Sequence, residues 1–197
     1  MIKVGVTGGI GSGKSTLCRR FAARGIAVYD TDREAKRLMN GSGELRSRIA
    51  AAFGPASYRD GALDRSYLAG EVFGRPERLA ALNAIVHPAV IADFRAWAER
   101  QQGPYVILES AILFSAGLEG EVDFTVAVLA PERLRVERTC RRDGADEEAV
   151  RRRMAAQPDD DELAARADYT VVNILEADLE DAAEQLNRIF QHEAEKR

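Results

Sequence analysis

A short β-branched run, Ile2-Lys3-Val4-Gly5-Val6-Thr7, leads directly into Gly8-Gly9-Ile10-Gly11-Ser12-Gly13-Lys14-Ser15-Thr16. The second stretch fits the pattern G-x-x-x-x-G-K-[ST], with Gly8, Gly13, Lys14 and Ser15 in its fixed positions. This pattern belongs where a strand turns sharply into a helix, so it fixes the local fold before anything else is read. Glycines let the backbone curl until successive N–H groups face one concavity. A helix starting near Lys14 and running through Leu17-Cys18-Arg19-Arg20-Phe21 adds the positive end of its dipole. Gly11, Ser12, Gly13, Lys14, Ser15 and Thr16 are therefore the expected phosphate-binding residues, with a nucleoside triphosphate and Mg2+ as the ligands such a loop takes. Lys14 would place its charge between the β- and γ-phosphates, and the Ser15 hydroxyl would be a metal ligand. A glycine-rich turn with no ligand is the alternative.

Further strand candidates are Ile26–Tyr29, Tyr105–Glu109, Phe124–Leu129 and Tyr169–Val172, with helical periodicity filling most of the gaps. Strands alternating with helices predict an α/β fold, a parallel sheet with helices on both faces and ligands at the carboxyl ends of the strands. The spacing is uneven. Roughly 75 residues lie between the second and third strands, far more than one crossover helix needs. Helical stretches near Asp32–Met39, Glu44–Phe53, Asp64–Val72 and from Pro76 to Gln101 occupy the interval, the last expected to break or kink at His87-Pro88. The interval reads as a helical insertion that covers an acceptor substrate.

After the fourth strand, a helix opened by Pro131 runs to about Arg142, and a second begins near Asp146, a good N-cap. Glu147 with Arg151 and Glu148 with Arg152 are i,i+4 pairs on that second helix. A short arginine-rich helical hairpin beside a phosphate site reads as a lid. The expected division is a nucleotide-binding core of residues 1–31, 104–140 and 167–197, an acceptor-binding insertion of 32–103, and a lid of 141–166. The last helix, from about Glu176 to His192, is amphipathic and should pack on the sheet.

Several polar residues stand where chemistry is expected. Asp30 and Asp32 follow the second strand, where a carboxylate could orient an acceptor hydroxyl and take its proton; capping the next helix is the competing role. Glu109 ends an apolar strand, a common position for a magnesium-linked carboxylate. Arg133, Arg135, Arg138, Arg141 and Arg142 crowd the helix after the fourth strand. Arg138 and Arg142 are the expected phosphate contacts, while Arg133, Arg135 and Arg141 read as a solvated face. Trp97 and the phenylalanines read as core.

Net charge is −4, which argues against a dominant nucleic-acid or anionic-membrane partner. No apolar run approaches a membrane span, and no signal-peptide pattern precedes the first strand. Cys18 and Cys140 lack metal-ligand spacing, so a reduced, cytoplasmic setting is expected. Oligomeric state is not legible.

At this point the chain resembles the dephospho-coenzyme A kinase family over nearly its whole length. The likeness starts with Val6 to Thr16 and continues through Asp30-Thr31-Asp32, Phe53-Gly54, Asp60-Gly61 and Leu63-Asp64-Arg65 with Leu68 and Phe73. His87-Pro88, Leu113-Phe114, Arg138 through Arg142-Asp143, Gln157, Ala167-Asp168 and Asn173 complete it. The resemblance implies a P-loop kinase that phosphorylates the ribose 3′-hydroxyl of dephospho-coenzyme A with ATP and magnesium, the last step of coenzyme A biosynthesis. It implies Asp32 as catalytic base, with Lys14, Arg138 and Arg142 acting on the phosphates and Arg65 and His87 facing the acceptor. The chain departs from the family where Pro-Leu-Leu-x-Glu is usual and Ala111-Ile112-Leu113-Phe114-Ser115 stands here. Glu109 replaces a frequent aspartate, Leu134 or a neighbour stands where glutamine is common, and Leu175 replaces a frequent glycine.

Overall fold

A computed structural model describes the backbone of residues 1–197 and every side chain except that of Glu176. Along the chain run β1 (Ile2–Thr7), α1 (Lys14–Ala23), β2 (Ala27–Asp30), α2 (Thr31–Gly41), α3 (Gly43–Phe53), β3 (Tyr58–Arg59) and β4 (Ala62–Leu63). Then follow α4 (Arg65–Val72), α5 (Pro76–Glu99), β5 (Tyr105–Glu109), β6 (Phe124–Leu129) and α6 (Glu132–Asp143). The chain ends with α7 (Glu147–Ala155), α8 (Asp160–Arg166), β7 (Tyr169–Val172) and α9 (Glu176–Glu195). Contacts divide it into two compact units, Thr31–Arg100 and the remainder, Met1–Asp30 with Gln101–Arg197. The segment 141–166, read above as a lid, groups with the sheet.

The larger unit is built on one sheet of order β2-β5-β1-β6-β7, and every strand pair in that sheet is parallel. Strands buried on both faces must be apolar along their length, and Tyr105-Val106-Ile107-Leu108 meets that demand with every residue buried. On one face Ile2, Val4, Val6, Ile107, Val126 and Val128 pack with Leu17 and Phe21 of α1 and with Leu179, Ala183, Leu186 and Phe190 of α9. Cys18 lies in this core. On the other face, a side chain at Gly5 would collide with Leu113 and Val122. The chain leaves β1 for β2 on one side and later reaches β6 and β7 on the other. This reversal opens a crevice at the carboxyl ends of the strands. In register there, Glu109 pairs with Val6 on one side and Asp30 on the other.

In the smaller unit, Leu45, Ile49 and Phe53 of α3 and Val86, Val90, Phe94 and Ala98 of α5 repeat at helical spacing and are buried. Ser42 caps α3 through the Leu45 N–H at 3.2 Å, and Asp64 caps α4 through the Tyr67 N–H at 2.9 Å. Tyr58 pairs with Leu63 in a hairpin, β3–β4, that periodicity did not reveal because each strand has two residues. Its turn at Asp60 and Gly61 has φ of 51° and 81°, both left-handed, which explains the Asp-Gly pair.

Three expectations need correction. Of the break or kink expected at His87-Pro88, the break does not occur: α5 runs helical from Pro76 to Glu99, because the lost N–H bond is one among many while α2, α3 and α4 all pack along it. By length and composition alone, α5 is long and apolar enough to cross a membrane, which qualifies the expectation that no apolar run approaches a span. Phe73, read as core, is 88% exposed at the end of α4.

Candidate functional site

Between β1 and α1 the loop folds around its own amides. Gly11 and Gly13 have φ of 77° and 100°, flanking Ser12, so successive N–H groups turn toward one concavity. The Ser12 N–H bonds the Gly9 carbonyl at 3.1 Å, and the Thr16 and Leu17 N–H groups bond the Gly13 carbonyl at 2.9 and 3.0 Å. Among the described residues, the N–H groups of Gly11, Gly13, Lys14 and Ser15 have no protein acceptor. Four convergent donors at a helix start form a cradle for an anion.

The cradle is held from two sides. Asn173, just past β7, donates its side-chain N–H to the Ser12 carbonyl at 2.6 Å, and a Cβ on Gly13 would stand 2.1 Å from that Asn173 nitrogen. On the other side Arg135, 6% exposed, donates to the Ile10 carbonyl at 3.1 Å and to Asp160 at 2.7 Å. Arg135 was read as part of a solvated face, and that is overturned. Arg133 and Arg141 are exposed, Arg141 pairing with Glu137 at 2.8 Å, whereas Arg135 points from α6 into the loop. Charge clustering could not separate the three, because only the fold decides which turn of α6 meets the loop.

Lys14 and Ser15 converge on one carboxylate. Glu109 Oε1 accepts from Lys14 Nζ at 2.7 Å and from the Ser15 hydroxyl at 2.5 Å. Burial pushes the Glu109 carboxyl up, but the Lys14 ammonium and hydrogen bonds from Lys14, Ser15 and Cys18 outweigh it, so the group sits below the ordinary carboxylate value. Burial and the adjacent Glu109 charge push the Cys18 thiol well up, which keeps it protonated and unreactive.

Magnesium fits this donor set. It takes hard oxygen ligands, keeps several waters, and uses one or two protein groups beside phosphate oxygens. The Ser15 hydroxyl and Glu109 carboxylate supply such oxygens, and no group of three or more His, Cys, Asp or Glu gathers into a cage among the described residues.

Arg138 donates to the carbonyls of Asn173 and Ile174 at 3.3 and 3.1 Å, placing it over the segment after β7 beside the cradle's Asn173. Arg142 is exposed and forks onto Asp143 at 2.7 and 3.1 Å. In the smaller unit, Asp32 stands in the first turn of α2, exposed and without a hydrogen-bond or ion-pair partner among the described residues, so its side chain does not bond as a cap. Arg65 is the exposed first residue of α4. His87 is half-buried in α5, and burial lowers its pKa, favouring neutral imidazole.

A family model described as dephospho-CoA kinase matches residues 2–178. The chain belongs to the dephospho-CoA kinase family. A dephospho-CoA kinase of Salinibacter ruber is 45% identical over 177 residues, spanning 88% of this chain and 89% of that one. One from Methylococcus capsulatus is 40% identical over 192 residues, 96% and 97% of the two chains. A crystal structure from Thermus thermophilus superposes with a TM-score of 0.84 at 37% identity, covering 95% of this chain and 96% of that one. A dephospho-CoA kinase from Campylobacter jejuni, 20% identical with a TM-score of 0.61 over 95% and 96% of the chains, shares the fold. Gln157, quoted above only as a family letter, supports the loop directly, since its side-chain oxygen accepts the Ile10 N–H at 2.8 Å.

Proposed function

We propose that this chain transfers the γ-phosphoryl group of ATP to the ribose 3′-hydroxyl of dephospho-coenzyme A, giving coenzyme A and ADP. The observation that carries the reading is the cradle of four unpaired N–H groups, with Lys14 and Ser15 at its edge, in a chain of this family. The N–H groups would grip phosphate oxygens, and Lys14 would exchange Glu109 for charge that develops on the transferring group. Magnesium held by Ser15, with Glu109 beside it, would neutralise phosphate charge and order the oxygens.

Asp32, exposed and unpaired, suits an acceptor-facing base: its carboxylate is free to orient a hydroxyl and take its proton as the phosphoryl group arrives. Arg138 and Arg142 would add charge at the phosphates, Arg142 giving up Asp143 to do so. Arg65 and neutral His87 are the acceptor contacts in this reading. Residues 141–166 serve as the lid and 32–103 as the acceptor-binding part. Cys18 and Cys140 are both free thiols, which suits work in the reducing cytoplasm, and the net charge of −4 suits a small-molecule substrate rather than nucleic acid or an anionic membrane.

The test is acceptor dependence. Purified protein with ATP and magnesium should form ADP only when dephospho-coenzyme A is added, and the product should carry a 3′-phosphate. ADP release with another small alcohol but not with dephospho-coenzyme A would reject the assignment.

A further inference from the structure

Both polar groups of one peptide residue in the phosphate loop are held by side chains from distant segments. The Ile10 N–H donates to Gln157 at 2.8 Å, and the Ile10 carbonyl accepts from Arg135 Nε at 3.1 Å. Gln157 lies 147 positions away in sequence and Arg135 lies 125. Arg135 is itself fixed. Its Nη1 bonds Asp160 Oδ1 at 2.7 Å, Asp160 Oδ2 accepts the Ala130 N–H at 3.3 Å, and the Arg135 carbonyl accepts the Thr139 hydroxyl at 2.7 Å.

The loop is shaped to admit this grip. A Cβ on Gly9 would stand 2.1 Å from Arg135 Nη2, so the guanidinium occupies the space a side chain would need. A Cβ on Gly11 would stand 2.3 Å from the Arg135 carbonyl oxygen, so α6 backbone also lies against the loop. The grip uses none of the N–H groups of Gly11, Gly13, Lys14 and Ser15. The grip leaves the anion-binding donors unspent and determines the turn that aims them.

We propose that Arg135 and Gln157 are positioning residues that clamp the Ile10 peptide and so preset the phosphate loop for the nucleotide, with Asp160 holding Arg135 in place. This rests on the reading of the loop as the ATP site. A clamp set before the ligand arrives removes ordering cost from binding, so its loss should appear in nucleotide affinity. The acceptor, which in this reading is held by Asp32, Arg65 and His87, should be unaffected.

The experiment measures ATP affinity by calorimetry and acceptor KM by turnover for Gln157→Met, Arg135→Met and the double variant Arg135→Met/Asp160→Asn. Arg135→Met alone leaves Asp160 without its partner and is expected to lose stability. The double variant removes both charges, keeps an acceptor for the Ala130 N–H, and should melt closer to wild type. The clamp predicts that Gln157→Met and the double variant each weaken ATP binding on the order of 10- to 100-fold, the size of one lost hydrogen bond plus loop ordering. Acceptor KM should stay within about 2-fold. Wild-type ATP affinity in the double variant would overturn the proposal, leaving Arg135 an ordinary buried ion pair. Should that variant not fold, wild-type affinity in Gln157→Met overturns it equally. Equal loss of ATP affinity and acceptor KM would also refute it, as general loosening. Failure of the wild-type protein to bind ATP would reject the nucleotide reading itself.

Discussion

Replacing Glu109 with glutamine isolates one charge at the centre of the site. The carboxylate is 7% exposed and accepts from Lys14 at 2.7 Å and Ser15 at 2.5 Å. Glutamine keeps the shape and one acceptor oxygen, so packing against β1 and α1 should persist. What goes is the charge opposite the Lys14 ammonium, since the amide oxygen can still accept from both Lys14 and Ser15. A hydrogen bond between charged partners contributes about 1.5–3 kcal/mol, and removing one partner of a buried pair costs about 3–5 kcal/mol. Lys14 retains 13% exposure and some solvation, so a loss of about 2–3 kcal/mol is expected at pH 7. For a chain of this size that lowers Tm by roughly 4–12 °C.

The pH dependence supplies the stricter check. Glu109 is held below its ordinary value in the folded chain, so its stabilisation is fully present above the unfolded pKa, about 4.3. It is lost as pH falls through the depressed folded value. Thermal melts of nucleotide-free wild type and Glu109→Gln should therefore differ by a constant gap from pH 6 to 8. Below about pH 4 the gap should narrow as the wild type loses its own carboxylate. A gap under about 1 °C at pH 7, or one that acid does not close, would refute the charge-pair argument.

Lys14→Ala should cut turnover by at least about 100-fold, because it removes a preset charge from the transferring phosphate; near-normal kcat in a steady-state assay would reject its placement. Asp32→Asn should lower kcat by on the order of 100-fold while ATP affinity stays within about 2-fold, since the carboxylate serves the acceptor. A pure loss of ATP binding would reassign it to the nucleotide.

Much of the fold could be read from local pattern. Strand limits at Ile2–Thr7, Tyr105–Glu109, Phe124–Leu129 and Tyr169–Val172 match residue for residue; the first three are largely buried apolar runs, and the last, an edge strand, shows in its aromatic and β-branched residues. Asp146 caps α7 through the Ala149 N–H, and Glu147 pairs with Arg151 and Glu148 with Arg152, as their spacing required. The misreadings have local causes too. Pro88 was weighed by its own missing donor, not by the three helices that hold α5, and Phe73 by its apolarity alone.

The site divides along the same line. The loop announces itself because its glycines, Lys14 and Ser15 are adjacent in sequence, and local backbone conformation determines what they can do. Its supports do not, because each comes from a segment far away in sequence. Glu109 meets Ser15 across 94 positions, Asn173 meets Ser12 across 161, and Arg135 meets Ile10 across 125. A glycine motif reports that space is needed but is silent on what fills it. In this chain the fillers are a guanidinium at Gly9 and a carboxamide at Gly13. The two glycines are thus imprints of Arg135 and Asn173, and the loop's shape is a property of β7, α6 and β5 as much as of its own nine residues. It follows that a transplanted loop sequence without those three neighbours would keep its pattern and lose its grip on phosphate.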